Sequence, residues 1–179
     1  MKKTKKKTGK KKRSLSVIAR KPKQKRRRAP VSLLYVGTRG FVRAVRQSTG
    51  RKSWETSLPG TGYELVSLLP DGERVFAGSK GRLFGLDART GTLLWSNELR
   101  GMKYGHMQLA TERDSPLIFV GIYGHVVAIS KKTGRKKWQT SLPRAGYEIV
   151  SLVSENGRLM AGSKGLLFGI DPRRGEIEW

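Results

Sequence analysis

Ala77-Gly78-Ser79-Lys80-Gly81-Arg82-Leu83-Phe84-Gly85-Leu86-Asp87-Ala88-Arg89-Thr90-Gly91-Thr92-Leu93-Leu94-Trp95 is the stretch that decides the architecture. Its short apolar segments are cut by a Gly-x-x-Gly tip and by Asp-x-x-Thr-Gly, the pattern of strands joined by tight turns, and no helical period runs through it. It ends on a tryptophan four residues after Gly91, and that placement recurs throughout the chain. Gly50 precedes Trp54, Gly134 precedes Trp138 and Gly175 precedes Trp179 by the same interval. These are all four tryptophans, spaced 41, 43 and 41 residues apart. A longer period of 84 lies over the shorter one: more than half the positions of 50–95 repeat without a gap in 134–179. The 179 residues are therefore mostly a repeat array, and a two-unit block has been duplicated.

Within the best-marked unit, Glu64–Leu69, Arg74–Gly78, Arg82–Asp87 and Thr92–Ser96 are each bounded by Gly, Pro or Asp-Gly, which predicts a four-stranded antiparallel meander. Units of about 40 residues with four strands are the signature of propeller blades. The expected fold is all-β: about four blades, at roughly 31–58, 62–99, 103–142 and 146–179, following a basic tail at 1–30. An aromatic just past a Thr-Gly turn suits docking on the next blade, burying its ring while the indole N–H finds a carbonyl. Trp54, Trp95, Trp138 and Trp179 are accordingly read as structural.

Val36-Gly37-x-x-Gly40-x-Val42-x-Ala44 with Thr49-Gly50-x3-Trp54, the 77–95 stretch, Val120-Gly121-x-x-Gly124-x-Val126-x-Ala128 with Thr133-Gly134-x3-Trp138, and Ala161 to Trp179 together resemble the pyrroloquinoline-quinone-like propeller repeat of the quinoprotein alcohol dehydrogenase-like superfamily. The resemblance covers residue 31 to the C-terminus. It implies the fold, and relatives with this repeat commonly close with eight blades. The aspartate expected before the turn is present as Asp87 and Asp171 but replaced by Val45-Arg46 and Ile129-Ser130, so two blades are expected to tie the turn differently. Enzymes of the superfamily hold quinone and calcium on the axis with acidic and amide ligands. This chain offers no Asp/Asn/Glu cluster with a calcium-loop spacing, so no cofactor is expected.

The innermost strands should line the axis, and they are expected to begin at Gly62-Tyr63-Glu64, Lys103-Tyr104-Gly105-His106 and Gly146-Tyr147-Glu148. Tyr63, Glu64, Tyr104, His106, Tyr147 and Glu148 are the candidates for a channel mouth, against the alternative that the rings pack between blades. His106 aligns with Leu65 and Ile149, where a buried, satisfied imidazole would fit. Arg39, Lys80 and Lys164 occupy two-residue tips between glycines and would make one rim basic. Lys131, Lys132, Arg135, Lys136 and Lys137, with Arg173 and Arg174, fall on turns at the opposite end. With no Cys, thiolate metal sites and cysteine nucleophiles are excluded. No GxxxxGK[ST] occurs, nor a GxGxxG that opens a helix, so nucleotide-binding fingerprints are absent.

Lys and Arg number 38 against 13 Asp and Glu, and 16 of the cations fall in residues 1–30, which carry no acid and no aromatic. Such a segment cannot bury enough apolar surface to offset its ordering entropy, and it is expected to be disordered in isolation. Its longest apolar run, Val17-Ile18-Ala19, is too short for a signal peptide core or a membrane span, and no membrane partner is expected. Lys10-Lys11-Lys12-Arg13 and Lys25-Arg26-Arg27-Arg28 form two basic clusters with the spacing of a bipartite nuclear import signal, and the same charges would neutralise phosphates on nucleic acid. The expected partners are nucleic acid or an import receptor through the tail, and other proteins on the propeller rim. The expected location is the nucleus in a eukaryote and the cytoplasm otherwise.

The first unit shows three strands and the sequence stops inside the outermost strand of the fourth. Closure then requires a strained four-blade ring, two copies completing one ring as a homodimer, or a longer parent chain. The reading is a non-enzymatic interaction module; a quinoprotein-like oxidoreductase and a pure protein scaffold are the rivals.

Overall fold

The computed structural model describes residues 32–102 and 105–179. The chain divides into two units, Met1–Pro30 and Val31–Trp179. The first lies outside the described residues, and with it the expected disorder of the tail and both basic clusters.

The second unit is all-β. Its strands are β1 (Leu33–Thr38), β2 (Phe41–Arg46), β3 (Lys52–Ser57), β4 (Ser67–Asp71), β5 (Arg74–Ser79), β6 (Arg82–Asp87), β7 (Leu93–Glu98), β8 (Gln108–Ala110), β9 (Leu117–Ile122), β10 (His125–Ser130), β11 (Lys136–Ser141), β12 (Ser151–Glu155), β13 (Arg158–Ser163) and β14 (Leu166–Ile170). Each sheet pairs its strands in sequence order: β1-β2-β3, β4-β5-β6-β7, β8-β9-β10-β11 and β12-β13-β14. We call these blades 1 to 4. Among the described residues blade 1 has three strands, and blade 4 starts a fourth through the Ile170–Ile177 bridge and the Glu178 N–H to Gly169 carbonyl bond of 2.8 Å.

Turn chemistry explains the meander. In each blade the tip between the second and third strand positions has both central residues at positive φ: Arg39 and Gly40 (46° and 75°), Lys80 and Gly81 (47° and 71°), Tyr123 and Gly124 (48° and 65°), Lys164 and Gly165 (52° and 75°). That is the type I′ geometry whose twist matches paired strands. Between the third and fourth positions, the glycine N–H of every blade bonds the carbonyl four residues back: Gly50 to Arg46, Gly91 to Asp87, Gly134 to Ser130 and Gly175 to Asp171. The main-chain turn is thus the same in all four blades, with or without aspartate. Asp87 and Asp171 add side-chain bonds, Asp87 Oδ1 accepting from the N–H groups of Arg89 and Thr90 and from the Thr90 hydroxyl, and Asp171 Oδ1 from those of Arg173 and Arg174.

The blades stack in order, with β1 beside β4, β4 beside β8 and β8 beside β12. Three apolar cores fill the gaps. Val42 and Leu58 of blade 1 meet Val75, Ala77, Phe84 and Leu86 of blade 2. Phe76, Leu83 and Leu99 of blade 2 meet Ile118, Val120, Ile122, Val127 and Ile129 of blade 3. Phe119, Val126, Ala128 and Leu142 of blade 3 meet Val150, Leu159, Ala161, Phe168 and Ile170 of blade 4. The inner strands β5, β6, β9 and β10 of blades 2 and 3 therefore bury both faces, one toward each neighbour, which is why these segments read as continuous apolar runs.

The tryptophans clasp these junctions. Trp54 Nε1 donates to the Ala88 carbonyl at 3.0 Å, Trp95 Nε1 to Lys131 at 2.9 Å and Trp138 Nε1 to Pro172 at 3.1 Å, each acceptor lying on the next blade. Each ring also lies flat on that blade's turn glycine. A Cβ built at Gly91, Gly134 or Gly175 would sit 2.5 Å from the Cε3 of Trp54, Trp95 or Trp138. The Thr-Gly-x3-Trp spacing is thereby accounted for, since the glycine is the seat of the preceding blade's indole and the tryptophan is the clasp onto the following one.

Candidate interaction surfaces

The innermost strands begin later than expected: β4 starts at Ser67 and β12 at Ser151, with Tyr63, Glu64, Tyr147 and Glu148 in the turns before them. Gly60 and Gly62 at φ 74° and 62° bend this segment, and the buried Ser79 hydroxyl donates to the Leu65 carbonyl at 2.8 Å, holding it off the ladder. Ser163 does the same to Ile149 in blade 4 at 2.9 Å. This accounts for the serine in both Gly-Ser-Lys-Gly tips. The rings are not buried between blades: Tyr63 and Tyr147 are 85 % and 82 % exposed, with Tyr147 in a T-shaped contact with Tyr123 at 5.8 Å between centroids. Leu65 and Ile149 beside them are exposed as well. His106 is exposed rather than buried, near Glu64, Ser67, Ser79 and Lys80 in a shallow recess. Tyr104 lies outside the described residues.

Arg39 and Lys164 stand exposed on their tips, with Lys80 half-buried on its own. At the opposite end the strand polarity puts Lys132 and Arg135 on the exposed turn between β10 and β11, while Lys136 donates to the Gln139 side chain at 2.9 Å. Lys131 is different from its neighbours. Its ammonium is 2.7 Å from Asp71 and 2.8 Å from the Glu112 carbonyl, and its own carbonyl accepts from Trp95 and from the Arg74 guanidinium. It ties blade 2 to blade 3 instead of facing solvent. Beside it, Arg74, Arg113, Lys132 and Lys137 line an open cleft between blades 2 and 3. Arg74 and Arg113 were not singled out from the sequence, because the fold brings them beside Lys132 from other segments and no spacing along the chain signals it.

The described residues do not supply a donor set that fits quinone with calcium. Among the described residues no three His, Asp or Glu side chains group as metal donors, and no buried side-chain polar atom lacks a partner. The innermost strands β4, β8 and β12 carry two carboxylates, Asp71, which is paired with Lys131, and the exposed Glu155, while Glu64 and Glu148 sit exposed in the loops. A quinone–calcium pair needs several hard oxygen donors converging on one point.

The family model described as outer membrane protein assembly factor BamB matches residues 38–179, and the chain belongs to that family of propeller repeats. Among solved structures it is similar to BamB from Moraxella catarrhalis, with 22 % identity and a TM-score of 0.68 over 83 % of this chain and 49 % of that one. It is also similar to Sqt1 of Saccharomyces cerevisiae, with 16 % identity and a TM-score of 0.67 over 82 % of this chain and 44 % of that one. Quinohemoprotein alcohol dehydrogenase ADHIIG from Pseudomonas putida HK5 matches at 15 % identity and a TM-score of 0.61 over 81 % of this chain and 32 % of that one. No curated protein matches in sequence. The chain spans about half or less of the length of the structures it resembles, and the likeness establishes the β-propeller fold.

Proposed function

We propose that this chain is a non-enzymatic interaction module, in which the propeller blades dock other proteins and the basic arm at residues 1–30 engages an import receptor, nucleic acid regardless of sequence, or both. The observation that carries the arm's role is charge segregation: 16 cations and no carboxylate in thirty residues, against 22 cations and 13 carboxylates in the remaining 149. Without aromatics to stack on bases, the arm would grip phosphates regardless of sequence. On the blades, the exposed Tyr63 and Tyr147 loops supply rigid aromatic anchors of the kind that dominate protein interfaces. The family's description as an assembly factor supports protein docking. In a eukaryotic cell the same arm would direct the chain to the nucleus; elsewhere it would act in the cytoplasm.

The test replaces Lys10, Lys11, Lys12, Arg13, Lys25, Arg26, Arg27 and Arg28 by glutamine and measures binding to a single-stranded RNA across a salt series. The unaltered chain should lose affinity steeply with salt, and the variant should lose about half or more of that slope. Equal slopes, together with unchanged localisation of a fluorescent fusion, would leave the arm without this role.

A further inference from the structure

The two ends of the blade series carry the two halves of one clasp. Trp179 lies flat on Gly169 of its own blade, as Trp95 does on Gly85, yet 61 % of it is exposed and no blade follows it among the described residues. At the other end, the turn of blade 1 has the same shape as the turns that seat Trp54, Trp95 and Trp138. Gly50 has φ 65°, but a Cβ there would meet no atom within 4 Å. The seat is formed and empty.

The surfaces around these halves match an interface already present in the molecule. By the 84-residue register, the trailing face of blade 4 repeats that of blade 2, with Val153, Met160, Leu167 and Trp179 at the positions of Leu69, Phe76, Leu83 and Trp95. The leading face of blade 1 repeats that of blade 3, with Leu34, Val36 and Val45 at the positions of Ile118, Val120 and Ile129. Blades 2 and 3 pack on one another through those residues. In the terminal blades the counterparts are bare: Leu34 and Val36 are 51 % and 49 % exposed, and Val153 and Leu167 are 50 % and 60 % exposed. Thr38 and Arg43 replace Ile122 and Val127, so the leading face is less apolar than its internal counterpart.

We propose that the trailing face of blade 4 docks on the leading face of blade 1 in a second copy of this chain, with Trp179 seated on Gly50 and its indole N–H donating to the Gln47 carbonyl. Gln47 stands 84 residues before Lys131, the acceptor for Trp95, and so occupies the corresponding place. Two unlike faces related by a half-turn about the propeller axis close after two copies, giving a dimer rather than a filament. This inference is independent of the arm's role.

The experiment measures mass by sedimentation equilibrium for the full chain, nuclease-treated and at high salt. The unaltered chain should be a dimer whose tryptophan emission shifts to the blue as concentration rises. Leu167→Glu and Val36→Glu each place a charge at an already exposed position, so both should fold and both should weaken dimerisation at least about tenfold. Mixing the two variants should restore a dimer, because the mixture contains one intact junction. A monomeric unaltered chain at all concentrations would overturn the proposal, whether the faces are then covered by the arm or by another protein. A dimer broken by Leu167→Glu but untouched by Val36→Glu would overturn it too, since that pattern means like faces meet.

Discussion

Blades 2 and 4 are near-copies in sequence and opposites in environment. Leu83 is fully buried and Leu167 is 60 % exposed; Trp95 bonds across to Lys131, whereas Trp179 faces solvent. Their own ladders are the same, β5–β6 and β13–β14 pairing residue for residue at the 84-residue offset. Two things differ: β7 pairs along β6, where blade 4 has only the Ile170–Ile177 bridge. Among the described residues blade 2 also has a neighbour on each side and blade 4 on one side only. A blade's apolar content is thus set by the stack it belongs to, and its stability is a sum over junctions rather than a property of the sheet alone.

Paired substitutions test this contrast, each read as a change in unfolding free energy in dilute solution. The widest gap is expected at the tryptophans. Trp95→Ala should cost about 3–5 kcal/mol, while Trp179→Ala should stay within about 1 kcal/mol, because only the first empties a filled junction. The leucines come next: Leu83→Ala should cost about 2–5 kcal/mol and Leu167→Ala less than about 1 kcal/mol. Equal losses in either pair would mean that the blades are stabilised internally and that stacking contributes little.

A smaller effect separates the turn glycines. Gly50→Ala carries only the left-handed backbone penalty, about 1 kcal/mol, whereas Gly134→Ala must also displace the Trp95 ring and should cost about 1–3 kcal/mol more. The smallest effect is electrostatic. The Thr90 hydroxyl and N–H, with the Arg89 N–H, hold the Asp87 carboxyl below the usual range. Its folded pKa is therefore lower than its unfolded one. The stabilisation it brings is fully present above the unfolded value near 3.9 and is lost as pH falls through the folded value. Urea titrations at pH 5 and pH 2.5 should show a smaller drop in midpoint for Asp87→Asn than for the unaltered chain.

Much of the fold was legible because the indole period records physics directly. A tryptophan four residues after a glycine is both partners of two successive junctions, and selection for one clasp fixes the spacing of the next. The aspartate was a weaker guide, since the turn is closed by main-chain bonds that Arg46 and Ser130 make as well as Asp87 does. The surfaces were harder to read. Gly62-Tyr63-Glu64-Leu65 has the alternation of a strand, but Ser79, fourteen residues downstream, captures its carbonyl and keeps it in a turn. Lys131 sits in a basic run that suggests a solvated patch, and the neighbouring blade's Asp71, Arg74 and Trp95 make it a structural tie. In both cases the deciding partner lies across a pairing that local pattern does not encode.

The clasp itself can be observed one indole at a time. In the Val36→Glu chain, labelled with nitrogen-15 and kept dilute so that no second copy covers the ends, exchange of the four tryptophan Nε1 protons with deuterium reports each junction separately. The account predicts slow exchange at Trp54, Trp95 and Trp138 and fast exchange at Trp179. Four protons exchanging at one common rate would contradict it.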